Sequence, residues 1–331
     1  MDLLKRAVEI KSLSGREQET AKYLVTSMQN LGYDAKIDEA GNAVGIRGAG
    51  KTILMVGHMD TVPGDIPVRI KGNKLYGRGS VDAKGSLCAF IEAGAKTKLN
   101  SKIIVIGAVE EECSSSKGAR HLIGKYNPDY IIIGEPSGYD AVTLGYKGRL
   151  LIDYELTIDS SHGASREEGV IEHAINFFNS LKKNTVVINT DRHKVFDQVM
   201  LKIKSIESNS DGLKDTVKMT VGYRLPVWFD VKKLEKFVEQ IQGDAKAKFY
   251  GHEYAIKAKK NNDLVKAFLR SIRKHGLKPK FKLKTGTSDM NILGKAYPRV
   301  PILAYGPGDS TLDHTPNEHI DLNEYKKSIE I

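Results

Sequence analysis

Thr52-Ile53-Leu54-Met55-Val56-Gly57-His58-Met59-Asp60 reads as a buried strand that runs straight into an imidazole and a carboxylate. Four successive apolar residues, Ile53 to Val56, without alternation fit a strand covered on both faces, as in a parallel sheet. The same form recurs outward from it. Residues 102–109 (KIIVIGAV) lead into Glu110-Glu111-Glu112, and residues 129–133 (DYIII) lead into Gly134-Glu135-Pro136. Residues 84–95 and 116–126 have helical patterning. Asp82 lies in Gly77-Arg78-Gly79-Ser80-Val81-Asp82-Ala83-Lys84-Gly85, just before the first of these helices. Strands alternating with helices imply an α/β fold, a mostly parallel sheet with helices on both faces. Ligands of such sheets bind beyond the carboxyl ends of the strands. His58, Asp60, Asp82, Glu110, Glu111, Glu112 and Glu135 can therefore converge although they are scattered in sequence.

Upstream, Ser14 and Glu17 have the spacing of a capping box, with Ala21, Leu24, Met28 and Leu31 at helical intervals and Gly32 as the stop. The pattern changes near Lys147. Residues 151–158 (LIDYELTI) alternate apolar and polar side chains, as a half-exposed strand does. A helix at 169–181, strands at 200–206 and 216–223 and a helix at 232–242 follow. This order suits an α+β domain with a four-stranded antiparallel sheet. The α/β style returns with a helix at 264–275 and strands at 278–283 and 301–304. At 331 residues the chain exceeds the roughly 100–200 of one ordinary domain. The expected organisation is an α/β domain of residues 1–146 and 256–331, with residues 147–255 inserted as a separate α+β domain.

Lys and Arg number 51 against 41 Asp and Glu, a net charge of +10. Such a surface attracts acidic partners. No nucleic-acid motif or aromatic interleaving accompanies the charge, so nucleic acid is not the expected partner. No apolar run approaches the ~20 residues a membrane helix needs, so no membrane association is expected. The start of the chain does not read as a signal peptide. Cys88 and Cys113 form no CxxC pair, which suits free thiols in a reducing cytoplasm. Arg270, Arg273, Lys274, Lys278, Lys280, Lys282 and Lys284 crowd one stretch that leads into Gly286-Thr287-Ser288-Asp289. It reads either as a docking face for an acidic partner or as an edge strand protected by lysines.

Clustered carboxylates raise each other's pKa, and a divalent cation removes that cost. Mixed imidazole and carboxylate donors fit zinc, with cobalt or manganese fitting less well. Taken singly, His58 is an ordinary packed histidine and the Glu110–Glu112 run an ordinary solvated face. Four strand-end positions followed by His314-Thr315-Pro316-Asn317-Glu318 point instead to a two-metal hydrolytic centre.

With these motifs the chain resembles, over about residues 10–325, the dinuclear-zinc aminoacylase and carboxypeptidase superfamily. That superfamily includes acetylornithine deacetylase, succinyl-diaminopimelate desuccinylase and carboxypeptidase G. The resemblance implies two divalent ions per chain, Zn2+ or alternatively Co2+. His58 and Glu135 would hold one, Glu112 and His314 the other, and Asp82 would bridge them. Asp60 would orient His58, and Glu111 would be the catalytic base. The family triplet is Asp-Glu-Glu where this chain has three Glu; the spacing to Gly118 sets the alignment, and a one-residue slip would move both roles. His162 resembles the lid histidine that stabilises an oxyanion across a homodimer, although the residues after it lack the usual Pro and Asn. Arg224 resembles the lid arginine for a substrate carboxylate, and Gly286, Thr287, Ser288 and Asp289 resemble the glycine-rich substrate loop.

Within the superfamily, the short length and Ala108-Val109-Glu110-Glu111-Glu112 look most like the prokaryotic hydrolases of lysine and arginine biosynthesis. Those enzymes free lysine or ornithine from a small acidic amino-group carrier protein that holds the amino acid through an amide to its terminal glutamate. The alternatives are an acetylornithine or N-succinyl amino acid deacylase, and then a metallo-aminopeptidase or carboxypeptidase.

Overall fold

The computed structural model describes residues 2–97, 100–162 and 166–331. In chain order its elements are α1 Asp2–Glu9, α2 Gln18–Asn30, β1 Asp34–Ile37, β2 Ala43–Arg47, β3 Lys51–His58, β4 Arg69–Lys71, β5 Lys74–Tyr76, α3 Lys84–Lys96, β6 Ser101–Ala108, α4 Lys117–His121, β7 Tyr130–Gly134 and β8 Ala141–Tyr146. Then follow β9 Gly148–Asp159, α5 Val170–Ile188, β10 Met200–Ser210, β11 Lys214–Leu225, α6 Val231–Ile241 and β12 Lys246–Glu253. The chain closes with β13 Ile256–Lys257, α7 Asp263–Lys274, β14 Lys280–Lys284, α8 Asp289–Ala296, β15 Ile302–Tyr305, β16 His319–Asp321 and α9 Leu322–Glu330. Two compact units result. One comprises Met1–Gly145, Lys257–Leu283 and Ser288–Ile331, and the other Tyr146–Ile256 with Lys284–Thr287.

The first unit is built on a sheet of order β1-β2-β6-β3-β7-β15-β8-β13, with β14 also paired to β8. Strands β6, β3, β7 and β15 are parallel to one another, and antiparallel strands flank them. The near-continuous apolar runs of β3 and β6 are buried because both faces are covered. Register decides where the polar residues emerge. His58 lies opposite Ala108, and Gly57 lies opposite Gly134, so the three strands end level. Helix α3 covers this end closely. Leu87 packs over glycines of two adjacent strands, and a Cβ at Gly57 or at Gly107 would come within 3.2 Å of it.

The second unit is a four-stranded antiparallel sheet, β10-β11-β9-β12. Alternation places Leu150, Ile152, Tyr154 and Leu156 on one face of β9, in a core with Phe177 and Leu181 of α5 and Leu234 and Val238 of α6. Edge strand β10 leaves Met200 and Ile206 exposed.

Three local expectations change. Residues 14–17 do not form a capping box: α2 starts after Glu17 with no side-chain cap, because both side chains bond to distant partners described below. The helix expected at 116–126 stops at His121, and Gly124 turns left-handed at φ 78°. The helix expected to end at 181 runs on to Ile188.

Gly118 on α4 backs directly onto the end of β6. An added Cβ would lie 2.5 Å from the Val109 amide nitrogen and 2.5 Å from Asn42 Oδ1. The Val109 nitrogen is backbone and the Asn42 side chain is held by its bond from the Val109 amide, so overpacking must be met by backbone movement. Gly118→Ala is expected to lower unfolding free energy by about 1–3 kcal/mol. A denaturant midpoint equal to wild type would refute this close approach.

Candidate active site

The three level strand ends and the segment before α3 bring their polar side chains together. His58 Nε2 lies 3.1 Å from Asp82 Oδ1, and His314 Nε2 lies 3.1 Å from Asp82 Oδ2. His314 Nε2 is also 2.9 Å from Glu112 Oε1. Asp82 therefore turns one oxygen to each imidazole. Donor atoms of His58, Asp82 and Glu112 all lie within 4.8 Å of one another. His58 is fully buried, and its Nδ1 is occupied 3.0 Å from the Asp60 carbonyl, which leaves Nε2 for the cluster. This donor set, imidazole nitrogens around a two-sided carboxylate, fits a borderline divalent cation.

The electrostatics have the same origin. Burial opposes protonation of His58, but its bonds to Asp60 and Asp82 outweigh burial and raise its pKa well above the ordinary value. Bonds to Asp82 and Glu112 push His314 up to about 10. Burial resists ionisation of Asp82, yet the two imidazoles hold its carboxyl far below the ordinary range. Burial raises Glu111 well above its usual value against the pull of His58, and Glu135, Asp289 and Glu112 add to the rise. Glu112 is raised by burial as well.

The remaining residues singled out by the sequence are less tightly gathered. Glu135 is buried just past β7 and acts on Glu111 through its charge, but stands outside the three-residue cluster. Asp289, the first residue of α8, is buried and acts on Glu111 in the same way. Ser288 is the N-cap of α8: its hydroxyl accepts from the Met290 amide, and Asn291 closes the capping box. Gly286 has open space where a side chain would be. In the second unit, Arg224 donates to Thr287 Oγ1 at 3.0 Å. His162 is exposed shortly after β9, and Gly163, the next residue of its motif, lies outside the described residues.

Sequence reasoning missed the carboxylates that hold these residues in place. The resemblance implies for Asp60 the role of orienting His58. Asp60 also accepts from the Glu111 amide through Oδ1 and from the Glu112 amide through Oδ2, each at 3.0 Å, and from the Ser14 hydroxyl at 2.7 Å. Glu318, fully buried, accepts from the Val81 and Asp82 amides at 3.0 and 3.2 Å and pairs with Arg78 at 2.8 Å. Its place in the His314–Glu318 motif was the available signal. Glu110 and His314 both adopt left-handed backbone, at φ 58° and 60°. Such conformations in non-glycine residues persist only where surrounding contacts enforce them.

An α/β unit with this donor cluster, joined in sequence to an antiparallel α+β unit, has the make-up of a metal-binding hydrolase. The family model of peptidase family M20/M25/M40 matches residues 54–331, and the chain belongs to that family of hydrolases. It is 43% identical to a LysW-lysine hydrolase of Deinococcus radiodurans, over all of this chain and 94% of that protein. It is 41% identical to a putative LysW-lysine/LysW-ornithine hydrolase of Thermococcus kodakarensis, over all of this chain and 89% of that protein. Among solved structures, an M20 family metallo-carboxypeptidase of Sulfolobus solfataricus shares the fold with a TM-score of 0.79 at 20% identity, covering 99% of this chain and 96% of that one.

For a cation bound through these imidazoles, their raised pKa would set the pH dependence of uptake. Below about 10, His314 carries a proton in the free site, and an incoming cation must displace it. Apparent affinity for Zn2+ or Co2+ should therefore rise with pH between 6 and 8, by about tenfold per pH unit for each displaced proton. Chelator competition with parallel proton-release measurements checks this. A flat affinity would mean that the histidines are not ligands.

Proposed function

We propose that this chain hydrolyses the amide joining lysine or ornithine to the C-terminal glutamate of a small acidic amino-group carrier protein. The observation that carries the chemistry is Asp82 with an imidazole on each oxygen and Glu112 beside it. The relatives named as LysW-lysine and LysW-ornithine hydrolases support the substrate class. An acetylornithine or N-succinyl amino acid deacylase is the second reading, since it would require the same centre.

Two divalent ions, Zn2+ or Co2+, would be held by His58 and Glu135 and by Glu112 and His314, with Asp82 shared. When bound, they would polarise the scissile carbonyl and acidify the attacking water. Glu111 takes the water proton, a task suited by a carboxyl that burial has made more basic. It then returns that proton to the leaving amine. Asp60 keeps Nε2 of His58 toward the centre by fixing Nδ1. Arg224, steadied by Thr287, would take a substrate carboxylate, and His162 of a neighbouring subunit would meet the developing oxyanion. A homodimer in the cytoplasm completes the proposal. The exposed Met200 and Ile206 on edge strand β10, with Ile171 and Ile175 exposed on α5, support an interface through the second unit.

Glu111→Gln is expected to keep metal affinity and lose most turnover, about a hundredfold or more. Glu112→Gln is expected to weaken metal binding first. Release assays with carrier-lysine, carrier-ornithine, N-acetylornithine and an N-succinyl amino acid, alongside metal titration, read both effects. Reversed behaviour of the two variants would shift the base assignment by one residue.

The docking proposal for the carrier uses β14. Phe281 and Leu283 are exposed there, Lys260 lies 4.8 Å over the Phe281 ring, and Lys280 pairs with Asp140. Complementary charge mainly raises association rate and is screened over about 8 Å at physiological salt. Turnover of carrier-lysine at low substrate should fall as salt rises, while that of a small acyl-amino acid should hardly change. Replacing Lys282 and Lys284 by Ser should mimic high salt for the carrier alone. Equal salt sensitivity of both substrates would leave the lysines only their edge-protecting role.

A further inference from the structure

We infer that Glu17 is a positioning residue for the centre: it holds the turn that presents Glu111 and Glu112. The inference rests on the roles proposed above for those two side chains. The turn follows β6 and opens with Glu110 in left-handed backbone, at φ 58°. A non-glycine residue there needs outside contacts to stay in place. Three consecutive amides are gripped by two buried carboxylates. Glu17 Oε1 accepts from the Glu110 amide at 3.1 Å, and Asp60 accepts from those of Glu111 and Glu112. The same Glu17 oxygen also accepts from the Gly15 amide at 2.9 Å, which ties its own loop closed. Ser14 in that loop bonds Asp60 at 2.7 Å. Residues 14–17 thus reach both carboxylates that fix the turn.

Glu17 is 5% exposed, and its placement is costly. Burial raises its pKa, its own loop and the Glu110 amide oppose the rise, and the charge of Asp60 adds to it. A residue needed only to begin α2 would not have to be an acid buried beside another acid, and Glu17 makes no side-chain cap to that helix. What it does make is the contact with Glu110. The bonds from the Gly15 and Glu110 amides go to one oxygen, so a glutamine carbonyl can accept both. The operative feature is an acceptor at this reach, and the negative charge is dispensable.

Glu17→Leu, Glu17→Asp and Glu17→Gln separate these features. Each is to be measured for Co2+ or Zn2+ affinity by chelator competition, for kcat and KM on the acyl-lysine substrate, and for thermal midpoint. Glu17→Leu should lose about 10- to 100-fold in metal affinity and in kcat, with KM little changed, because it acts on ligand and base through the backbone. Glu17→Asp, with an arm too short to reach Glu110, should behave like Leu, and Glu17→Gln should restore both quantities. Wild-type metal affinity and kcat in folded Glu17→Leu overturn the inference, as does a Gln variant as impaired as Leu. Should Glu17→Leu not fold, a fully active Glu17→Asp is the overturning result. Failure of wild-type protein to hydrolyse any acyl-lysine would strike the proposed function instead, since the metal-affinity comparison needs no substrate.

Discussion

Holding the acidic and imidazole side chains of His58, Asp82, Glu112 and His314 in contact is the constraint on which the catalytic unit depends. Like charges at such distances oppose ionisation, and water is excluded from much of the cluster. The raised carboxyls of Glu111 and Glu112 and the depressed carboxyl of Asp82 are two expressions of that one problem. The sheet solves the coarse part, because parallel strands of matched register end together. It cannot solve the fine part, since a strand end delivers backbone and leaves the side chain free to choose among rotamers.

The fine part is handled by acids that grip amides. Asp60 takes the amides of Glu111 and Glu112, and Glu318 takes those of Val81 and Asp82. Amide-to-carboxylate bonds are charge-assisted and stronger than neutral ones, most of all where water cannot compete. Each gripping acid is itself anchored: Asp60 by Ser14 and Glu318 by Arg78. Arg78 also reaches the carbonyls of Gly64 and Thr315, so one guanidinium ties the loop after β3 to the segment carrying His314. Asp82, Glu111 and Glu112 are thereby fixed through backbone, which leaves their side-chain oxygens available to the cluster.

Much of this was legible in the sequence, for a definite reason. Doubly covered parallel strands write themselves as unbroken apolar runs, so β3, β6 and β7 stood out together with the residues at their ends. The second unit was legible through alternation in β9 and β11. Its fourth strand, β12, was not, because Lys246–Glu253 has charges at three of its eight positions and a burial pattern of mixed half-exposed residues. Helices α8 and α9 were missed for different reasons. Asp289–Ala296 is too short for a periodic signal, and Leu322–Glu330 carries a strongly polar face.

Residues 14–17 are the instructive error. A serine followed three places later by a glutamate before a helical pattern satisfies every local requirement of a capping box. Local pattern is a statement about neighbours in sequence. Here both side chains were recruited by groups 46 and 93 residues away, Asp60 and Glu110. A capping bond is worth about 1 kcal/mol and water can replace it at an exposed helix start. A buried backbone amide beside a metal-type cluster has no water to fall back on, and leaving it unpaired costs about 1–3 kcal/mol. The Glu110 amide therefore outbids the helix terminus for the Glu17 oxygen, while the Ser14 hydroxyl donates to the Asp60 carboxylate. Where a sequence offers an acceptor to two claimants, burial decides, and the departure from the local rule marks the loop as part of the site.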